Sequence, residues 1–66
     1  MTVIVNGVPC DLPDGTTVAD LAATEGAATR GCAVAVDGAV VPRGRWAGEQ
    51  LRDGQRVEIV RAVQGG

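Results

Sequence analysis

The chain contains no histidine and no lysine; its six basic residues are all arginine. The missing histidine removes the commonest general base at neutral pH and the commonest metal ligand. The missing lysine excludes Schiff-base chemistry and a phosphate-binding P-loop lysine. It also means that no copy of the protein can be joined to another through a lysine side chain. Phe and Tyr are absent as well and Trp occurs once, so Val, Ile, Leu and Ala must fill the interior. Cys10 and Cys32 match no zinc or Cys-x-x-Cys spacing and read as core residues. No apolar stretch approaches the ~20 residues of a membrane span, and no basic-then-apolar opening suggests export. The expected compartment is therefore the cytoplasm, without membrane attachment, a setting that disfavours a disulfide. A net charge of -2 gives no electrostatic reason to bind nucleic acid. Sixty-six residues make a single domain, 1–66. Such a chain buries only about 60% of the surface its unfolded form exposes. That leaves no room for a deep cleft lined by a catalytic constellation, and the expectation is a protein that is not itself an enzyme.

What is present is a rhythm of short β-branched runs and glycine turns. Thr2 to Val5 reads as a strand, and Asn6-Gly7 is the strongest short-range hairpin signal. Val8 to Leu12 returns as a second strand, in which Pro9 favours a short or interrupted pairing. Pro13-Asp14-Gly15 closes it as a turn. Val18, Leu21, Ala22 and Glu25 then fall at i, i+3, i+4 and i+7, the spacing of a helix with three apolar residues on one face. Thr17 and Asp20 resemble a capping box. Gly26 or Gly31 ends the helix, with Arg30 placed where its charge suits the helix dipole. A helix this short must pack on a sheet.

Cys32 to Val36 reads as a buried strand, Asp37-Gly38 as a second hairpin turn and Ala39 to Val41 as its return. Pro42 ends that strand, and Arg43 to Leu51 reads as an irregular connection with a helical turn near Trp46-Ala47. Asp53-Gly54 reads as a third turn of the same kind, before a last strand from Arg56 to Val63. Two hairpins around one helix, with a long final strand, predict an α+β fold: a mixed sheet of about five strands with one short helix on one face.

After that strand come Gln64, Gly65 and Gly66. Glycine has no Cβ, so these last residues can thread a slot too narrow for any side chain. A free α-carboxylate has a reference pKa of roughly 3.3–3.7 and is ionised at neutral pH. Residues 62–66, as a flexible leash, could reach at most about 16–18 Å, enough to present Gly66 to a neighbouring enzyme's active site. The plain alternative is a frayed terminus without function.

Several segments together resemble one family. These are the opening Val5-Asn6-Gly7 hairpin, the Thr17-x-x-Asp20-Leu21 helix start and the terminal Gly65-Gly66. The most specific are Ala33-Val34-Ala35-Val36-Asp37-Gly38 and Val41-Pro42-Arg43-Gly44-Arg45-Trp46. They are similar to the ThiS family of sulfur carriers, over essentially the whole chain. Asp37 stands where Asn is often found, and Val63-Gln64 precedes the glycines. The resemblance implies a ubiquitin-like β-grasp fold and a role as substrate and courier. An E1-like (ThiF-like) enzyme would use ATP to adenylate the Gly66 carboxylate. A sulfur donor such as a cysteine desulfurase would then convert it to a thiocarboxylate, and a ThiG-like thiazole synthase would take the sulfur for thiamine. No intrinsic cofactor or metal is implied. A carrier for molybdopterin or cysteine synthesis, a ubiquitin-like protein modifier and a β-grasp binding module with an incidental tail are the alternatives.

Three further positions bear on docking. With Val57 and Ile59 pointing into the core, period-two alternation places Val60 and Ala62 on the opposite face as an apolar patch beside the tail. Arg43 is a candidate contact for an acidic partner, against a plain solvated role. Trp46 reads as cover for one end of a small aliphatic core, with a partner contact as the alternative.

Overall fold

Among the described residues, Asn6 and Asp37 are the non-glycine positions with positive φ, at 49° and 50°. Each precedes a glycine, at 83° and 85°, so both hairpins close through type I′ turns whose twist matches that of the strands. The computed structural model describes residues 1–27 and 31–61. The expectations for Arg30, for the end of the last strand and for the Gly65-Gly66 tail lie outside the described residues.

The first hairpin pairs β1 (Thr2–Val5) with β2 (Val8–Asp11), and the second pairs β3 (Cys32–Val36) with β4 (Ala39–Val41). The last strand, β5 (Arg56–Arg61), lies between the hairpins, parallel to β1 and antiparallel to β3. The sheet order is β2-β1-β5-β3-β4, the mixed five-stranded sheet expected. Pro9 sits on the outer strand opposite Ile4. The N-terminal ammonium of Met1 donates to the Leu12 carbonyl at 2.9 Å and the Leu12 amide donates to the Met1 carbonyl at 2.8 Å, so the alternating ladder leaves the Ile4–Pro9 pair without a bond to lose. The pairing is short but uninterrupted.

Helix α1 (Val18–Thr24) links the two hairpins and buries Val18, Leu21 and Ala22. Its capping box is complete. The Asp20 amide donates to Thr17 Oγ1 and the Thr17 amide to Asp20 Oδ2, both at 3.1 Å. The Val18 amide finds the Glu49 carbonyl at 2.8 Å, which ties the helix start to the chain leaving the 3₁₀ helix at Arg43–Gly48. Gly26, at φ 72°, stops the helix. The Ala27 amide returns to the Ala22 carbonyl at 2.7 Å and the Gly26 amide to Ala23 at 3.3 Å, a Schellman closure with Ala27 fully buried behind it.

Val3, Val5, Val34, Val41 and Val57 meet the helix residues, Leu51 and Trp46 in one core. Trp46 is 5% exposed and its indole N–H donates to the Val41 carbonyl at 2.9 Å, so the single aromatic is a packing residue. Two expectations need correction. Asp53-Gly54 is a turn but not a hairpin: it leads from Leu51 into β5, whose neighbours come from distant parts of the chain. β3 is not buried as a whole, because helix and 3₁₀ helix cover one face only. Val34 and Val36 are buried while Ala33 is exposed and Ala35 half-buried.

Candidate docking face and carrier terminus

Side chains from two glycine turns hold the central strand, and one from a third ties the turn before it to β1. The Asn6 amide group accepts from the Ile59 N–H at 2.9 Å and donates to the Ile59 carbonyl at 3.3 Å. It thereby continues by one step the parallel β1–β5 ladder, in which the Ile4 and Asn6 amides bond Gln55 and Val57 at 2.9 Å. Asp37 Oδ1 accepts from the Arg56 N–H at 3.0 Å, and its own N–H donates to the Arg56 carbonyl at 2.8 Å. Asp53 Oδ1 accepts from the Thr2 N–H while the Gly54 N–H donates to the Thr2 carbonyl, both at 2.7 Å. An Asx side chain that tolerates positive φ thus also supplies donors and acceptors that fit a neighbouring peptide.

This bracing fixes which way each β5 side chain faces. Val57 is 1% exposed and Ile59 packs against the core, while Val60 lies on the open face at 59%. The expected alternation holds for Val60; Ala62 lies outside the described residues. Cross-strand register sets Ala33 opposite Val60, and Ala35 between Glu58 and Val40. Val40 is 70% exposed. The open face therefore carries a shallow apolar strip of Val60, Ala33, Ala35 and Val40, with Glu58 on it.

Val40 is a member that sequence reasoning missed. In Ala39-Val40-Val41 every residue is apolar, so alternation alone does not say which side chain faces out. Val41, opposite the buried Val34, settles it.

Arg43 follows β4 toward the end of the sheet at which β5 stops, since Val41 pairs Val34 and Arg61 pairs Cys32. Its guanidinium lies 4.6 Å from the centroid of the Trp46 ring, a cation–π contact that orients it. Arg43 and Val60 thus share one end of the sheet, about two strand spacings apart. Gly65 and Gly66, the positions expected to enter a partner, lie outside the described residues. Among the described residues no group of three or more His, Cys, Asp or Glu could hold a metal ion, and no helix is long and apolar enough to cross a membrane. Cys10 and Cys32 are free thiols, both packed partly against the core from different strands.

Two hairpins joined by one helix, with the last strand inserted parallel to the first, define a ubiquitin-like β-grasp protein. The sequence pattern of the ThiS family matches residues 3–66. The chain belongs to the ThiS family. Among solved structures it is similar to the crystal structure of the thiamine biosynthesis protein ThiS from Geobacter metallireducens, at 26% identity and a TM-score of 0.83, with all of both chains covered. The solution structure of a thiamine biosynthesis protein from the same organism aligns at 27% identity and a TM-score of 0.79, covering all of this chain and 88% of the other. No curated protein matches the chain.

Proposed function

We propose that this protein is a sulfur carrier of thiamine biosynthesis whose reactive atom is the Gly66 carboxylate. The observation that carries the reading is the family match, which extends through residue 66 and so includes Gly65-Gly66. A carboxylate is a poor electrophile. Attack of its oxygen on the α-phosphorus of ATP, in a ThiF-like enzyme, releases pyrophosphate and leaves an acyl adenylate with AMP as a good leaving group. A persulfide on a cysteine desulfurase or comparable donor displaces AMP. Cleavage of the resulting acyl disulfide by a thiol leaves the thiocarboxylate, whose sulfur a ThiG-like thiazole synthase takes up. Bound as a thiocarboxylate, sulfur stays nucleophilic without release as sulfide.

Every chemical step falls in a partner's active site, which accords with a chain lacking His and Lys and fits a cytoplasmic setting. The carrier contributes recognition and reach. The strip around Val60, with Arg43 at the same end of the sheet, is the docking surface in this reading, and Ala62 is assigned to it on the alternation expected from the sequence alone. Its apolar character and its position at the end of β5 support that role. Gly65 and Gly66 thread the active site because no Cβ widens them.

The decisive experiment is intact and C-terminal peptide mass spectrometry after incubation with the ThiF-like enzyme, ATP and a sulfur source. Sulfur replacing oxygen nearly matches the mass of an oxidation, so fragment ions must separate it from oxidised Met1, Cys10 or Cys32. A thiocarboxylate localised to Gly66 is the expected result. An unmodified Gly66 with a proven active partner refutes the carrier reading and leaves a β-grasp binding module. Isopeptide adducts on other proteins would point instead to a ubiquitin-like modifier.

A further inference from the structure

The last turn of α1 carries no basic residue, yet its end is met by a charge from elsewhere in the chain. Arg61, the final described residue of β5, donates from a guanidinium nitrogen to the Glu25 carbonyl at 2.7 Å. Glu25 is the helix C-cap, so this carbonyl belongs to the set that has no partner within the helix and carries the negative end of its dipole. The contact follows from alternation. Val57, Ile59 and Arg61 share the helix-facing side of β5, and at residue 61 the long side chain reaches the end of α1. A Cβ at Gly26 would meet the same guanidinium nitrogen at 3.5 Å, an ordinary van der Waals contact, so glycine is called for there by its φ of 72° and not by the approach of Arg61. A charge-assisted bond of this length is at the short end of the range for N–H donors.

We propose that Arg61 is a positioning residue for the carrier reaction: by binding the end of α1 it fixes the root from which residues 62–66 start. This rests on the carrier reading. Any backbone residue left loose at the root must be ordered when the carrier docks, and that ordering subtracts from binding rather than from the chemical step. The effect therefore belongs in KM for the carrier.

The test uses Arg61→Met, which keeps the length of the stem and removes the donor, and Arg61→Lys, which keeps a cationic donor. ATP–pyrophosphate exchange by the ThiF-like enzyme is measured against carrier concentration, corrected for the folded fraction by circular dichroism. The expected result for Arg61→Met is a KM raised on the order of fivefold, as for one more backbone residue to order, with kcat within twofold of the parent. Arg61→Lys should restore most of the difference. In parallel, the ¹⁵N heteronuclear NOE of residue 61 should fall in Arg61→Met in the absence of any partner. Should Arg61→Met unfold, Arg61→Gln, with a shorter stem, takes its place. An unchanged KM in the folded variant, or Arg61→Lys behaving like Arg61→Met, overturns the proposal and leaves the carrier reading intact. Failure of the parent chain itself to support exchange, with an enzyme active on another carrier, overturns both.

Discussion

Replacing Val60 by threonine is the most direct probe of the proposed docking face. The change keeps the branched shape, so β5 retains its strand preference, and Val60 is already 59% exposed. Fold stability should stay within about 0.5 kcal/mol of the parent. In a docked complex the same change exchanges a buried methyl for a hydroxyl. The lost apolar group contributes roughly 0.8 kcal/mol when fully buried, and Val60 has about three fifths of its surface left to cover, which gives about 0.5 kcal/mol. The desolvated hydroxyl adds on the order of 1 kcal/mol if the partner offers it no bond. A total of about 1.5 kcal/mol corresponds to roughly a tenfold loss in kcat/KM for ATP–pyrophosphate exchange. Val8→Thr is the control. Val8 is 60% exposed but lies on the outer strand, opposite Val5 and on the helix-facing side. Equal rates for Val60→Thr and the parent, or an equal loss for Val8→Thr, would refute the assignment of the open face.

Two stability predictions concern the bracing of β5 and the cover of the core. Asn6→Gly keeps a residue suited to positive φ and removes both bonds to Ile59, so urea unfolding should show a loss of about 1–2 kcal/mol. Asn6→Ala should lose a further 1 kcal/mol or so, because alanine must then adopt the left-handed region; equal stabilities for the two would disprove the strain argument. Trp46→Phe leaves the Val41 carbonyl without its indole donor at a buried site, and should cost about 1–3 kcal/mol by thermal unfolding. A neutral outcome there would mean that water or a shifted 3₁₀ helix satisfies the carbonyl.

The features written locally in the chain were legible in the sequence. Asn6-Gly7 and Asp37-Gly38 are hairpin turns because two consecutive positive φ angles leave few other residue choices. The Thr17–Asp20 capping box is likewise a four-residue matter. What needed the structure depended on partners far away along the chain. Asp53-Gly54 has the same composition as the hairpin turns, but β5 pairs with β1 and β3 and not with the segment before the turn. β3 is apolar at every position, so its sequence could not reveal that one face is open. The Asn6–Ile59, Asp37–Arg56 and Arg61–Glu25 contacts span 53, 19 and 36 residues, and periodicity carries no information at such separations. For the candidate site, the alternation of Val57, Ile59 and Val60 was legible because the charged Arg56 and Glu58 flank Val57 and mark it as the inward residue. The extension of the strip to Val40 was not.

The three Asx-Gly turns also bear on how the protein ages. Asn-Gly and Asp-Gly are the dipeptides in which the next backbone nitrogen most easily attacks the side-chain carbonyl, since glycine offers no Cβ to hinder it. The succinimide so formed opens to aspartate or isoaspartate, and asparagine is thermolabile for this reason. In this fold those same side chains grip Ile59, Arg56 and Thr2. An engaged side chain must give up these bonds before it can be attacked, so the native hydrogen bonds oppose this covalent decay. Once a turn does convert, the damage falls on the seam between the hairpins and the central strand. Chemical lifetime and mechanical integrity are thereby lodged in the same three residues.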